Sequence, residues 1–261
     1  MLTQLRRATP RPLVLACALA PLAALFVVRF PDLHGASIGS YVSTFLIALP
    51  ATIALFRYLG PGRATFSVLA LSAFAYAIES VGVATGFPYG RFFYGDALGP
   101  KVMGLVPFLL PLSYAPLVIG AVAATWGGAS RLLHVLKAAL ILVWMDAVLD
   151  PGDAALGFWT WPEGGVYYGV PTSNYAGWLL SGTLAAALLL ATGRWSETPK
   201  PALLDSAAIS TAFWTAVAVF SGLPIPALLG VALFMFLLLI RAVHLHTNRT
   251  VSANLAVRPP E

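Results

Sequence analysis

Apolar residues run in long blocks along almost the whole chain, near 12–28, 38–59, 64–85, 102–125, 131–150, 174–192, 203–220 and 223–243. Each block is long enough for an α-helix to cross a hydrocarbon core of ~30 Å, and the breaks between blocks are short and rich in Gly, Pro and charge. The pattern predicts an all-α polytopic membrane bundle of about eight transmembrane helices, forming a single membrane domain over residues 1–261. The last two blocks are joined only by Ser221, Gly222, Leu223 and Pro224, so a tight hairpin and one broken helix both satisfy the pattern there, and the count is seven or eight. The stretch from Pro12 to Val28, preceded by Arg6, Arg7 and Arg11, has the outline of a signal peptide. No small-residue cleavage site follows Val28, and too few apolar residues separate Arg11 from Cys17 for a lipoprotein signal, so a first membrane anchor is expected instead.

Composition agrees with a lipid solvent. Only 10% of the 261 residues are charged, 59% are hydrophobic, and the mean hydropathy is +0.84, a balance that does not cover a water-facing surface. The net charge of +5 comes from basic residues standing singly between apolar blocks, without the stripe that nucleic acid would need. Their placement sets orientation. With eight spans and a cytoplasmic N-terminus, the inner segments hold Arg6, Arg7, Arg11, Arg57, Arg63, Arg131, Lys137, Arg194, Lys200, Arg241, Arg249 and Arg258, and the outer ones hold Arg29, Arg91 and Lys101. Twelve against three predicts that both termini are cytoplasmic, and the expected location is a bacterial or archaeal plasma membrane. Cys17 is the single cysteine, which excludes an internal disulfide and a Cys-based zinc site.

Two outer connections are longer than the rest, Thr85 to Lys101 and Pro151 to Ser173, and both are dense in Gly, Pro and aromatic residues. Loops of this kind fold against a bundle and assemble sites. Ionisable groups inside spans point the same way, because burying them in lipid is costly. Glu79 lies in the third span on a small and polar stripe with Ser72, Ala75, Tyr76, Gly82 and Gly86. Asp146 and Asp150, four apart, share one face of the fifth helix, which Pro151 is expected to end. Asp150 then stands at the negative end of the helix dipole beside another acid, a setting that suits a proton-donating carboxylic acid. The alternative reading is an ordinary interfacial residue at a helix end for Asp150, and a structural hydrogen-bond network for Asp146 and Glu79. Asp153 and Glu163 read as solvated loop acids, with Asp153→Asn expected to matter little.

Trp159, Trp161, Tyr167, Tyr168 and Trp178 crowd one loop and one helix start, denser than an ordinary aromatic belt. Asn174 reads as the cap of the sixth helix, whose face of Asn174, Gly177, Ser181 and Ala185 permits close packing. His34 and His134 read as interfacial residues, and the His244-x-His246 pair falls in a polar tail without a third ligand, so no metal is expected. Phosphate loops, nucleotide fingerprints and Gly-x-Ser-x-Gly elbows are absent from the sequence.

Glu79, Thr85-Gly-Phe-Pro-Tyr-Gly-Arg-Phe-Phe-Tyr94, Leu98-Gly-Pro100, Asp146-Ala-Val-Leu-Asp-Pro151, Trp159-Thr-Trp161 and Tyr168-Gly-Val-Pro-Thr-Ser-Asn-Tyr-Ala-Gly-Trp178 together resemble the carotenoid biosynthesis membrane proteins that include the CruF-type carotenoid 1,2-hydratases. The resemblance covers roughly Glu79 to Trp178. It implies addition of water to the terminal 1,2 double bond of an acyclic carotenoid end, of the lycopene or gamma-carotene type, giving a tertiary alcohol without a cofactor. The implied partners are the carotenoid within the bilayer, membrane lipids and other enzymes of the same pathway. Such chemistry needs an acid to protonate the alkene, a second carboxylate to orient water, and aromatic faces to stabilise the cation. Asp150 or Asp146 is the candidate acid and Glu79 its partner, with Tyr89, Tyr94, Trp159, Trp161, Tyr167, Tyr168, Asn174 and Trp178 as candidate substrate contacts. A cyclase begins with the same protonation, a prenyltransferase would need further aspartate clusters for magnesium, and a carotenoid carrier or transporter would also carry aromatic loops and buried acids.

Overall fold

The structure, a computed structural model, describes residues 10–31, 36–127 and 130–257. Arg6, Arg7, His34 and Arg258, which enter the sequence reading, lie outside them. The described residues form eight α-helices: α1 (Arg11–Arg29), α2 (Ala36–Leu59), α3 (Pro61–Thr85), α4 (Leu110–Ala124), α5 (Arg131–Leu156), α6 (Thr172–Thr192), α7 (Asp205–Phe220) and α8 (Pro224–Val257). Seven of these are long and apolar enough to cross a membrane, counting the short 3-10 turn Pro201–Leu204 with α7. The fold is thus the all-α polytopic bundle that the apolar blocks predict, and a two-residue turn at Ser221 and Gly222 settles the last two blocks as a hairpin.

The remaining helix, α4, departs from the expected span. Its fifteen residues rise about 22 Å, because the first part of the block folds as a hairpin of β2 (Lys101–Val102) with β3 (Val106–Pro107). Gly104, with φ of 73°, makes the turn that a Cβ would strain, and Pro111 fixes the first turn of the helix behind it. A short helix serves here because α4 is the hub. Every residue from Tyr114 to Ala124 is buried, and α2, α3, α5, α6 and α7 all pack against it. A helix that is apolar on all sides belongs in the middle of a bundle.

The fifth helix also differs from expectation, since it continues through Pro151 to Leu156. Proline removes one backbone donor and leaves the carbonyl of residue 147 without its helical partner. The Tyr167 hydroxyl donates to that Ala147 oxygen at 3.1 Å, which replaces the missing bond and lets the helix run on. It ends instead at Gly157, which takes the left-handed conformation (φ 68°) typical of a helix stop. Asp150 is therefore inside the helix rather than at its negative end, and Asp153 is a buried helical residue instead of a solvated loop acid. Glu163 is exposed, as expected. At the opposite end of the bundle, α8 carries the stretch read as a polar tail, so His244 and His246 lie on a helix, about 28 Å along it from Ile225. His134 is buried, and its Nε2 meets the Val122 carbonyl at 2.8 Å, tying α5 to α4.

Candidate active site

Two segments distant in sequence build the site by pairing. β1 (Phe93–Tyr94), in the first long loop, pairs antiparallel with β4 (Trp159–Thr160), in the second, and sets Tyr94 opposite Trp159. The two loops thus fold as one cap over the ends of α3, α5 and α6. Beneath it a cleft of ≈ 1450 Å³, open mouth included, extends toward α2, α4 and α7. Its wall is mostly apolar and aromatic, and Glu79, Asp150 and Asp153 line it together with Tyr89, Tyr94, Trp159, Trp161, Asn174 and Trp178.

The acids come from two helices. Glu79 on α3 is 4% exposed, and Tyr94 Oη donates to its Oε2 at 2.9 Å. Burial, then the neighbouring Glu79 charge, push the Tyr94 phenol well above its ordinary pKa, so it remains a hydrogen-bond donor. Asp146 and Asp150 on α5 are each 2% exposed. The Asn174 amide donates to Oδ2 of Asp146 at 2.8 Å and to Oδ2 of Asp150. Asn174 is therefore not a helix cap. Pro171 is the cap residue, and Asn174 sits in the first turn of α6 with its side chain turned across to α5. One neutral amide with two N–H groups spans both acids, which fixes their separation. Asp146 lies behind Asn174 and does not line the cleft, whereas Asp150 does.

The aromatic rings form a continuous series. Trp159 meets Tyr94 edge-on with centroids 5.8 Å apart, Tyr94 meets Phe92 at 5.4 Å, and Phe92 meets Tyr89 at 5.9 Å. Tyr89 then meets Trp178 at 6.3 Å, which stacks on Tyr114 at 5.6 Å and 27°. Tyr89 is pinned between two glycines of different helices. A Cβ on Gly82 of α3 would stand 2.8 Å from its ring, and one on Gly177 of α6 would stand 2.5 Å from it. That contact explains why the small stripes of both helices converge here. Tyr167 and Tyr168 lie outside the cleft wall. Tyr167 serves the Ala147 carbonyl, and the Tyr168 hydroxyl accepts from the backbone N–H of Ile225 at 3.4 Å.

Buried polar atoms without a hydrogen-bond partner are uncommon and costly in folded proteins. Among the described residues they are Tyr89 Oη, Tyr114 Oη, Asp146 Oδ1, Asp153 Oδ2, Trp161 Nε1, Tyr175 Oη, Ser181 Oγ and His244 Nδ1, and all but the last surround this site. Sequence reasoning missed Asp153, Phe92 and Tyr114. Tyr114 carried a signal in being a hydroxyl within an apolar block, and Asp153 carried one in preceding Gly157, the real helix stop, by about one turn.

A multi-pass helical membrane protein with acids and aromatics around a mostly apolar cleft is the class that fold and site define. A carotenoid biosynthesis protein family matches residues 37–237, well over half of the chain, and the chain belongs to that family. It is 45% identical over 150 residues to a bisanhydrobacterioruberin hydratase of Haloarcula japonica, a match covering 56% of this chain and 50% of that relative. The chain thus spans about half the length of the curated relative it matches. No solved structure matches it.

Proposed function

We propose that the chain is a carotenoid end-group hydratase of a cell membrane, adding water to the terminal 1,2 double bond of an acyclic end of the lycopene or gamma-carotene type. The observation that carries the reading is the convergence of Glu79 and Asp150 on one aromatic-walled, largely apolar cleft, with the hydratase named above as a relative. An acid proton on Asp150 passes to the less substituted alkene carbon, and the tertiary cation forms against the faces of Trp159 and its ring neighbours. Water bonds to that cation and loses a proton, giving the tertiary alcohol. Glu79, held by Tyr94, orients the water, and Asp146 acts through Asn174 to hold Asp150 in place. The atoms balance as alkene plus water, so no electrons have to enter or leave.

Coexpression in cells making lycopene, or a carotene with one acyclic end, tests this reading by pigment mass. One water added per modified end is expected, with oxygen-18 from labelled water in a tertiary hydroxyl. Unchanged mass with a new ring indicates a cyclase, an added five-carbon unit indicates a prenyltransferase, and unaltered pigment indicates a carrier. Any of these three, with the protein present in the membrane, would overturn the hydratase assignment.

A further inference from the structure

Three carboxyl groups line the cleft, and the third is Asp153. It sits one helical turn beyond Asp150 on α5, so the two project from the same face. It is 1% exposed, more deeply buried than Glu79 or Asp150. Glu79 has the Tyr94 hydroxyl and Asp150 has the Asn174 amide, but Oδ2 of the Asp153 carboxyl is buried without a partner. An acid placed so is unfavourable for the fold. Removing a partner, or never supplying one, leaves a buried carboxyl paying its full desolvation cost, and an apolar or amide side chain of like size would sit there more comfortably. A buried carboxyl in this state is accounted for when its task is to bind something else.

We infer that Asp153 is a further catalytic residue, the base that takes the proton from the attacking water. The inference rests on the hydratase reading above. With Asp150 giving its proton to the alkene and Glu79 holding the water from α3, the Asp153 carboxylate accepts a hydrogen bond from the same water. As the new C–O bond forms, the water O–H bond breaks and its proton goes to Asp153. At the end of a turnover Asp153 is protonated and Asp150 is not, and the proton passes back along the helix face to Asp150. The helix runs through Pro151 between them, which keeps both acids on one face, and the Tyr167 hydroxyl satisfies the Ala147 carbonyl that the proline leaves free.

The test is Asp153→Asn, with Asp153→Glu alongside, assayed for hydrated pigment and for the thermal unfolding midpoint of the purified membrane protein. Hydration should fall at least 100-fold in Asp153→Asn while the midpoint is unchanged or higher, and Asp153→Glu should recover part of the activity. Hydration within about threefold of the parent in Asp153→Asn would overturn the inference, and so would loss of activity together with a lowered midpoint, the mark of a structural acid. The parent chain reports separately on the underlying reading. A parent that hydrates beside an equally active Asp153→Asn defeats only the role of Asp153, whereas a parent that leaves acyclic pigments unmodified defeats both.

Discussion

Asn174 donates to both of the paired aspartates of α5, and it does so from a different helix, so its loss acts on two acids at once. Asn174→Leu removes two hydrogen bonds and leaves two carboxyl groups buried without them, a cost of about 1–3 kcal/mol for each group. A lower thermal midpoint is expected, together with a fall in hydration as Asp150 loses its fixed position. An unchanged midpoint would mean that the amide is dispensable to the pair. For the acids, Asp150→Asn should reduce turnover by about 10²–10⁴, the range for losing a general acid or base, and Glu79→Gln should reduce it as the water loses its orienting carboxylate. Asp146→Asn should also reduce it, through misplacement of Asn174, and near-normal pigment conversion in all three variants would assign these acids to structure alone. The sequence marked Glu79, Asp146 and Asp150 because charge inside an apolar block is conspicuous. It hid the function of Asn174, since an Asn near a helix start reads as a cap until the facing helix is known.

At the scale of elements, the device that shapes the site is the close approach of α3 and α6 around the Tyr89 ring. Gly177→Ala would place a methyl group 2.5 Å from that ring and 2.9 Å from the backbone of Pro88, distances that force one of them to move. A destabilisation of about 1–3 kcal/mol is expected, as for other overpacked contacts, read as a lower thermal midpoint with reduced hydration. A variant as stable as the parent would show that the cap can shift freely over the bundle. A smaller effect is expected at the proline in α5. Tyr167→Phe removes the hydroxyl that satisfies Ala147, costing about 1 kcal/mol, and the midpoint should fall by little. Helix positions were legible because twenty-residue apolar blocks have few other solutions in lipid. What the sequence could not reveal were the points where a distant partner overrides a local rule. Pro151 reads as a stop until Tyr167 supplies a donor, and residues 102–109 read as helix until β2 and β3 pair.

At the scale of the whole molecule, the loops holding the site and the segments holding most of the basic residues lie at opposite ends of the bundle. Glu163 sits in the connection between α5 and α6, and Glu197 follows α6 after one further crossing; both are exposed. The cations near the Glu197 end include Arg57, Arg63, Arg131, Arg194 and Lys200, and Lys200 donates to the Arg57 carbonyl at 2.6 Å, bringing two of these connections together. Arg241, on α8, is instead buried with Asp205 of α7, Nε to Oδ1 at 2.6 Å, and so serves packing more than orientation. Without it the asymmetry between the two ends still favours a cytoplasmic Glu197 and a site that opens on the outer half of the bilayer. In a Cys17→Ser background, Glu163→Cys should react with an impermeant thiol reagent in intact cells and Glu197→Cys should react only after the cells are opened. The reverse pattern would turn the molecule over and place the mouth of the cleft on the cytoplasmic side.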